Sequence, residues 1–364
     1  MTKTALVLFN LGGPDRLESV RPFLFNLFYD PAITEMAAPF RWLFAKLITA
    51  RREKAVQANY ALMGGRTPLL AETEAQMRAL DAVLADLADL GEVRCFMAMR
   101  YWHPLSEEAA AQVAAFQPDR IILLPLYPQY SAATTGSSLD AWHQAARNVG
   151  LKAPSETVCC YPLEPGFVRA HAALIREAWP KAAAAGKPRL LFSAHGLPEA
   201  FIKKGDPYQW QVEQTCAAVV QALGTADLDW QICYQSRVGP QKWIGPFTDQ
   251  EIERAGADRV ALVVCPIAFV SEHIETLVEM DDEYAKLAAH SGVPAYVRVP
   301  TLSASPGFIE ALAAIIRRRL DRAPPEAGAG PSSADFSRLC PERYGRCPCR
   351  MAARQAAADP RAAA

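Results

Sequence analysis

The sequence predicts a doubly wound α/β fold in two lobes, and three observations lead there. The chain has 364 residues, too long for one ordinary core and suited to two domains or one large bilobal one. Short apolar runs at 5–10, 93–99, 120–125, 189–194, 229–234, 259–266 and 295–299 alternate with longer stretches of helical period. That alternation is the pattern of parallel strands joined by crossover helices. The longer stretches, such as 69–90 and 167–185, are rich in Ala, Leu, Glu, Gln and Arg, residues that favour helix.

The turn-rich stretch 150–166 lies between the earlier and later strands and predicts a hinge there. Residues 308–322 read as an amphipathic terminal helix, and 323–333, rich in Pro, Gly, Ala and Ser, as a linker unable to bury enough apolar surface to fold alone. The expected layout is a Rossmann-like lobe at 1–160, a second at 161–305, the terminal helix at 306–322, and a linker with a cysteine-bearing tail at 323–364. No repeat shows at a fixed period, and two lobes of similar layout would not need one.

Half the residues are hydrophobic (51%), 21% are charged, and the formal net charge is −1. Such a balance offers no global attraction to polyanions, so nucleic acid is not an expected partner. The opening apolar run is broken by Gly12, Gly13 and Pro14 and is too short for the apolar core of a signal peptide. No run approaches the roughly 20 apolar residues of a spanning helix. The expectation is a cytoplasmic protein, free or in peripheral contact with a membrane surface.

Nine cysteines in such a chain are not expected to pair as disulfides. Cys95, Cys216, Cys233 and Cys265 stand singly in apolar or helical surroundings and read as small core residues. Cys159-Cys160 and the trio Cys340, Cys347 and Cys349 differ. The trio lies in Pro- and Gly-containing turns beyond the linker and is expected to have no core to fill. Thiolates in that setting suit an iron–sulfur cluster, a structural zinc or a free redox-sensitive tail.

In open parallel sheets ligands bind beyond the carboxyl ends of strands, so chemistry is sought just after each strand. His195-Gly196-Leu197-Pro198 follows the run at 189–194. The imidazole there is either a site group or one satisfied by loop backbone. Gly196 and Pro198 restrict the chain in the way a fixed side-chain pose requires. After the run at 259–266 comes Ser271-Glu272-His273-Ile274-Glu275, and a helix starting at Ser271 would align Glu272, Glu275, Glu279 and Asp282 or Glu283 on one acidic face. Such a face is either solvated or a ladder that passes protons or holds a cation. Arg100-Tyr101-Trp102-His103-Pro104 and Tyr127-Pro128-Gln129-Tyr130-Ser131, with Thr134 to Ser138, follow two more strands and offer aromatics, an arginine and hydroxyls to a large flat ligand. Gly12-Gly13 completes no phosphate-loop pattern.

Together these segments resemble the ferrochelatase family. The resemblance runs in family order from about Leu6 to about Leu320, through Leu11-Gly12-Gly13-Pro14, Gly64-Gly65-Arg66-Thr67-Pro68, the motifs above, Gly205-Asp206-Pro207-Tyr208, Tyr234-Gln235-Ser236-Arg237-Val238-Gly239-Pro240 and Trp243-Ile244-Gly245-Pro246. It implies two similar Rossmann-like, chelatase-like lobes of parallel sheet flanked by helices, with a porphyrin cleft between them. The implied activity is insertion of Fe²⁺ into protoporphyrin IX to give protohaem. By the resemblance His195 and Glu275 are the catalytic pair and the ligands of the incoming iron, chemistry that suits imidazole and carboxylate. Glu279 and Asp282 follow as a proton or metal path. Arg52, Tyr60 and Thr67 match positions that hold the propionates, and Leu11, Arg100, Tyr101, Tyr130 and Phe269 match the pocket lining. The greasy stretch 36–48, with Phe40, Trp42, Leu43, Phe44 and Leu47, resembles the lip that admits the porphyrin, the alternative being a buried helix after Pro39.

The chain departs from the family pattern in two places. Members with a [2Fe–2S] cluster often carry a ligand where this chain has Ala132, and their tail spacing differs from the C-x₆-C-x-C found here. The tail does resemble a second, bacterial arrangement in which the fourth thiolate comes from another loop, a place that Cys159 or Cys160 would fill. Leu11 gives an apolar wall that suits the vinyl groups of protoporphyrin rather than coproporphyrin. A chelatase for another metal or tetrapyrrole, and a non-catalytic haem or metal carrier, are the competing readings. A metallation assay with protoporphyrin separates them.

Overall fold

The apolar runs form strands and the stretches between them helices, in two sheets of the same design. The computed structural model describes residues 2–85, 91–323 and 330–351. Contacts divide the chain into two units, Met1–Tyr161 with Leu312–Ala364, and Pro162–Ala311. In the first unit β1 (Lys3–Asn10), β2 (Glu92–Met99), β3 (Arg120–Pro125) and β4 (Ser155–Thr157) form a parallel sheet in the order β2-β1-β3-β4. In the second, β5 (Pro188–His195), β6 (Trp230–Gln235), β7 (Ala261–Pro266) and β8 (Tyr296–Arg298) repeat that order as β6-β5-β7-β8.

The α-helices are α1 (Val20–Tyr29), α2 (Ala38–Leu62), α3 (Leu69–Ala85), α4 (Ser106–Phe116), α5 (Ser137–Asn148), α6 (Pro165–Ala183), α7 (Glu199–Lys203), α8 (Tyr208–Leu223), α9 (Thr248–Asp258), α10 (Ala285–His290) and α11 (Pro306–Leu320). The likeness of the units extends to their connections. In each, the third strand leads to a π-helix, Ala132–Gly136 in the first and Glu275–Tyr284 in the second, which runs on into α5 or α10. π-Helices are rare and concentrate at functional sites.

Both sheets are buried on two faces, which is why their strands read as continuous apolar runs. One core packs Ala5, Val7 and Phe9 of β1 and Leu123 of β3 against Val113 of α4 and Trp142 of α5. The other packs Leu191, Cys233, Leu262 and Val264 against Ile252 of α9 and Met280 and Tyr284 of the π-helix. Gly12 and Gly13, after β1, serve packing: a Cβ at Gly13 would lie 2.8 Å from Thr67 Cγ2, and Gly12 holds φ of +77°. The four solitary cysteines are buried, as expected.

Three expectations need correction. The stretch 150–166 contains β4, which no apolar run announced because its residues are Ser-Glu-Thr. The stretch 36–48 is not a buried helix: Phe40 is 67% exposed, Leu43 51% and Leu47 64%, on α2. The tail is also packed, with Ala334, Cys340 and Cys347 buried. Its backbone runs beside the end of β4, where Cys159 N–H donates to Ser332 O at 2.8 Å and Ala334 N–H to Cys160 O at 3.0 Å. The expected helical residues 86–90, most of the expected linker (324–329) and the end of the tail (352–364) lie outside the described residues.

A buried ionic cluster fixes this arrangement. Arg120 on β3 and Arg319 on α11 both pair with Glu156 on β4. Arg120 also donates to the carbonyls of Arg319 and Arg322. Arg319 donates to Ser332 Oγ at 2.8 Å and to the Ser333 carbonyl, and its guanidinium stacks 4.0 Å from the centre of the Phe336 ring. Removing one partner of a buried ion network strands the others without compensation. Arg319→Ala is therefore expected to lower unfolding free energy by about 3–5 kcal/mol and to expose the tail to limited proteolysis. An unchanged denaturant midpoint would contradict that role for the cluster.

Candidate active site

The second sheet delivers its polar side chains where β5, β6 and β7 end. His195 is the last residue of β5 and pairs in register with Gln235, the last of β6. Gly196 permits that approach, since a Cβ there would lie 3.0 Å from Gln235 O and 3.2 Å from the Trp243 ring. His195 Nδ1 lies 2.6 Å from Gly196 O, and its Nε2 lies 3.3 Å from Glu275 Oε1. A carbonyl and a carboxylate both accept, so this geometry favours the ring that carries a proton on each nitrogen. Burial pushes the imidazole pKa down, but the Glu275 carboxylate, the Gly196 carbonyl and Glu279 outweigh it and hold the value up at about 9. Burial would raise the Glu275 carboxyl, yet His195 and His273 hold it well below the usual carboxylate range.

Glu275 opens the π-helix, and its second oxygen meets His273 Nε2 at 2.7 Å. His273 is buried, stacks with Phe269 at 4.5 Å between ring centres, and has no hydrogen-bond partner for Nδ1 among the described residues. The result is a row His195–Glu275–His273 with one spare nitrogen at its end.

The acidic face expected from an α-helix beginning at Ser271 is not formed. The helix begins at Glu275 with the wider π turn, and the acids separate. Glu272 lies before it and is held by Arg298 at 2.8 Å and by the Thr301 N–H at 3.0 Å. Glu279 accepts from Gln235 Nε2 (2.9 Å), the Ser236 N–H (2.9 Å), the Ser236 hydroxyl and the Tyr284 hydroxyl (2.8 Å). Four donors fill the lone-pair sites of a carboxylate. Asp282 pairs with Lys286 at 2.7 Å, whereas burial and the nearby Glu279 and Asp282 raise the Glu283 carboxyl.

A second cluster lies at the end of β4. Cys159 Sγ is 3.6 Å from Cys349 Sγ and 3.7 Å from Cys160 Sγ, and Cys347 hydrogen-bonds with both Cys340 and Cys349. The five sulfurs thus form a chain of contacts, with Tyr130 against Cys159 and Cys160. Among the described residues no three His, Cys, Asp or Glu side chains converge on one point as ligands of a single ion.

A profile for Ferrochelatase matches residues 3–320. A Ferrochelatase of Phenylobacterium zucineum (strain HLK1) is 58% identical over 348 residues, covering 96% of this chain and 98% of the relative. One of Caulobacter vibrioides (strain NA1000 / CB15N) is 54% identical over 351 residues, covering 96% and 99%. One of Rickettsia bellii (strain OSU 85-389) is 47% identical over 348 residues, covering 95% of each chain. The chain belongs to the ferrochelatase family.

As a ferrochelatase-family enzyme it carries the other expected site residues in the first unit, apart from Phe269. Leu11 follows β1 and is half-buried, and Arg52, also half-buried, lies 6.0 Å from the centre of the Phe28 ring. Tyr60 and Thr67 are buried, and Thr67 Oγ1 accepts from Leu69 N–H at the start of α3. Arg100 and Tyr101 share a buried carboxylate that the sequence reading missed, Asp30, at 2.9 Å and 2.7 Å, and Ser137 donates to it as well. Tyr101 is wholly buried and Tyr130 nearly so, against the cysteines. His273, Gln235 and Ser236 were also missed as site residues. The His-x-Glu spacing of His273 and Glu275 was the signal available for the first.

The pair His195–Glu275 gives a titration test. Because folding raises the His195 pKa, its contribution to stability is fully present below the ordinary histidine range and is lost as pH rises through about 9. The His195 ring signals in a nuclear magnetic resonance titration are expected to change near pH 9, and in Glu275→Gln the change should move to lower pH, with only the Gly196 carbonyl and Glu279 left to oppose burial. A midpoint unmoved by Glu275→Gln would rule out the ion pair as its cause.

Proposed function

We propose that this chain inserts ferrous iron into protoporphyrin IX to form protohaem, the closing step of haem biosynthesis, with release of two pyrrole protons. One observation carries the reading beyond family membership. The imidazole at the end of β5 and the first carboxylate of the π-helix face each other at 3.3 Å, an acid–base pair at a strand end.

Insertion requires the pyrrole protons to leave, the ring to buckle and the metal to shed water. At rest His195 carries both ring protons, so it accepts a pyrrole proton only after passing one to Glu275. An approaching Fe²⁺ repels the imidazolium, favours the neutral ring and frees Nε2 as a ligand beside the Glu275 carboxylate. His273 relays it in the tautomer with the proton on Nδ1, accepting the Glu275 proton at Nε2 and releasing its own from the unpartnered Nδ1. Glu279 extends the path through the Ser236 and Tyr284 hydroxyls, which can give and regain a proton. At its outer end Glu283, with its raised pKa, suits proton exchange better than Asp282, which pairs with Lys286.

Leu11, Arg52, Arg100 and Phe269 keep exposed surface with which to meet the porphyrin, Arg52 as a propionate partner. Tyr60, Thr67, Tyr101 and Tyr130 back them up from buried positions. The exposed apolar face of α2 admits the porphyrin from a membrane surface, on the cytoplasmic side. No helix among the described residues is long and apolar enough to cross a membrane.

His195→Ala is expected to abolish metallation while porphyrin binding, read by fluorescence quenching, survives. More than about a tenth of the wild-type rate, a barrier change of only about 1.4 kcal/mol, would remove His195 from the chemistry. The same assay should turn over protoporphyrin faster than coproporphyrin III.

The thiols fit a [2Fe–2S] cluster held by Cys159, Cys340, Cys347 and Cys349. Thiolates in contact suit either structural zinc or a dinuclear cluster, and the family resemblance of the tail favours the cluster. Of the two candidates Cys159, in contact with Cys349, supplies the fourth thiolate. When bound, such a cluster supplies a redox centre and ligation energy that holds the tail. Anaerobically purified protein is expected to contain equal amounts of iron and acid-labile sulfide, and Cys347→Ser to lose both. Colourless protein with stoichiometric zinc, or a Cys347→Ser variant with a normal cluster, would end the assignment.

A further inference from the structure

Five sulfurs touch where four ligands suffice, and the surplus one does not sit as a core cysteine does. In an extended strand consecutive side chains point to opposite faces. Here β4 stops at Thr157, and the consecutive Cys159 and Cys160 bring their sulfurs to the same place, 3.7 Å apart and against Tyr130. Cys159 alone of the two has a sulfur contact with the tail, at 3.6 Å from Cys349. Cys160 therefore stands directly behind the fourth ligand, in van der Waals contact with it.

We propose that Cys160 is a reserve ligand, able to take over the fourth coordination position from Cys159. The proposal rests on the cluster reading above and adds a second ligand set to it. The backbone favours the exchange, because both residues are docked on the segment that leads to the other three ligands. Cys159 N–H donates to Ser332 O, and Cys160 O accepts from Ala334 N–H. Rotation of two short side chains brings one sulfur forward and takes the other back, with no change in the docked chain. With a cluster bound, the exchange would need no oxidant: Cys160 would hold it as a thiolate in place of Cys159, and the Cys160 thiol proton would pass to the released Cys159 sulfur. Arg120, Glu156 and Arg319 anchor the same strand end from the other side, so the pair stays registered on the tail when one thiolate is absent.

The test compares whole wild-type protein with Cys159→Ser, Cys160→Ser, the double variant and Cys347→Ser, all purified anaerobically. Iron, acid-labile sulfide, visible and paramagnetic resonance spectra and thermal melting are measured for each. Cys160→Ser should keep the wild-type spectrum. Cys159→Ser should keep about half or more of the wild-type iron and sulfide with shifted bands, while the double variant and Cys347→Ser fall to about a tenth or less. A Cys159→Ser protein that melts like wild type yet is as empty as Cys347→Ser would overturn the reserve role and leave the cluster reading intact. Wild-type protein without sulfide would overturn both. If the serine variant is insoluble, Cys159→Ala puts the same question without a competing hydroxyl.

Discussion

A parallel sheet covered by helices on both faces has only its strand ends open to polar chemistry. In this chain that constraint decides where nearly every ionisable side chain of interest lies. β1 and β5 are mostly apolar and end on the polar Asn10 and His195. The helices that follow must begin there, so backbone donors, carboxylates and aromatic rings collect at the same edge. Both units obey this rule, and in both a π-helix follows the third strand. The π turn has a specific effect in the second unit. It lets Met280 and Tyr284 reach the core while Glu275 and Glu279 stay with the ends of β5 and β6.

Charge within that edge is balanced locally. Glu275 is bracketed by two imidazoles, Glu272 is taken up by Arg298, and Glu279 is surrounded by neutral donors. Carboxylates that looked alike in the sequence therefore have three different environments and suit three different tasks. Asp30 plays the corresponding part in the first unit, holding Arg100, Tyr101 and Ser137 on one buried carboxylate. A buried acid with three donors restricts the arginine to one pose.

The cysteine cluster depends on a different device. Its thiols come from chain segments as far as 190 residues apart, and no local propensity brings them together. Backbone pairing along Ser332 to Ala334 and the Arg120–Glu156–Arg319 network hold the tail beside the end of β4.

The sequence by itself determined the α/β class, seven of the eight described strands and the strand-end position of His195. Apolar runs, helical period and strand-end placement are local properties, written in neighbouring residues. It also marked Cys159-Cys160 and the tail trio as different from the four core cysteines. Only the tertiary structure decided which carboxylates share a face, because an α-helix and a π-helix have the same composition and differ in which residues their turns align. It alone supplied Asp30, whose partners are 70 and more positions away, and β4, whose three polar residues become a strand only by pairing with β3. It also chose Cys159 over Cys160 as the sulfur in contact with Cys349, since adjacent residues with identical side chains differ only in what the fold places beside them.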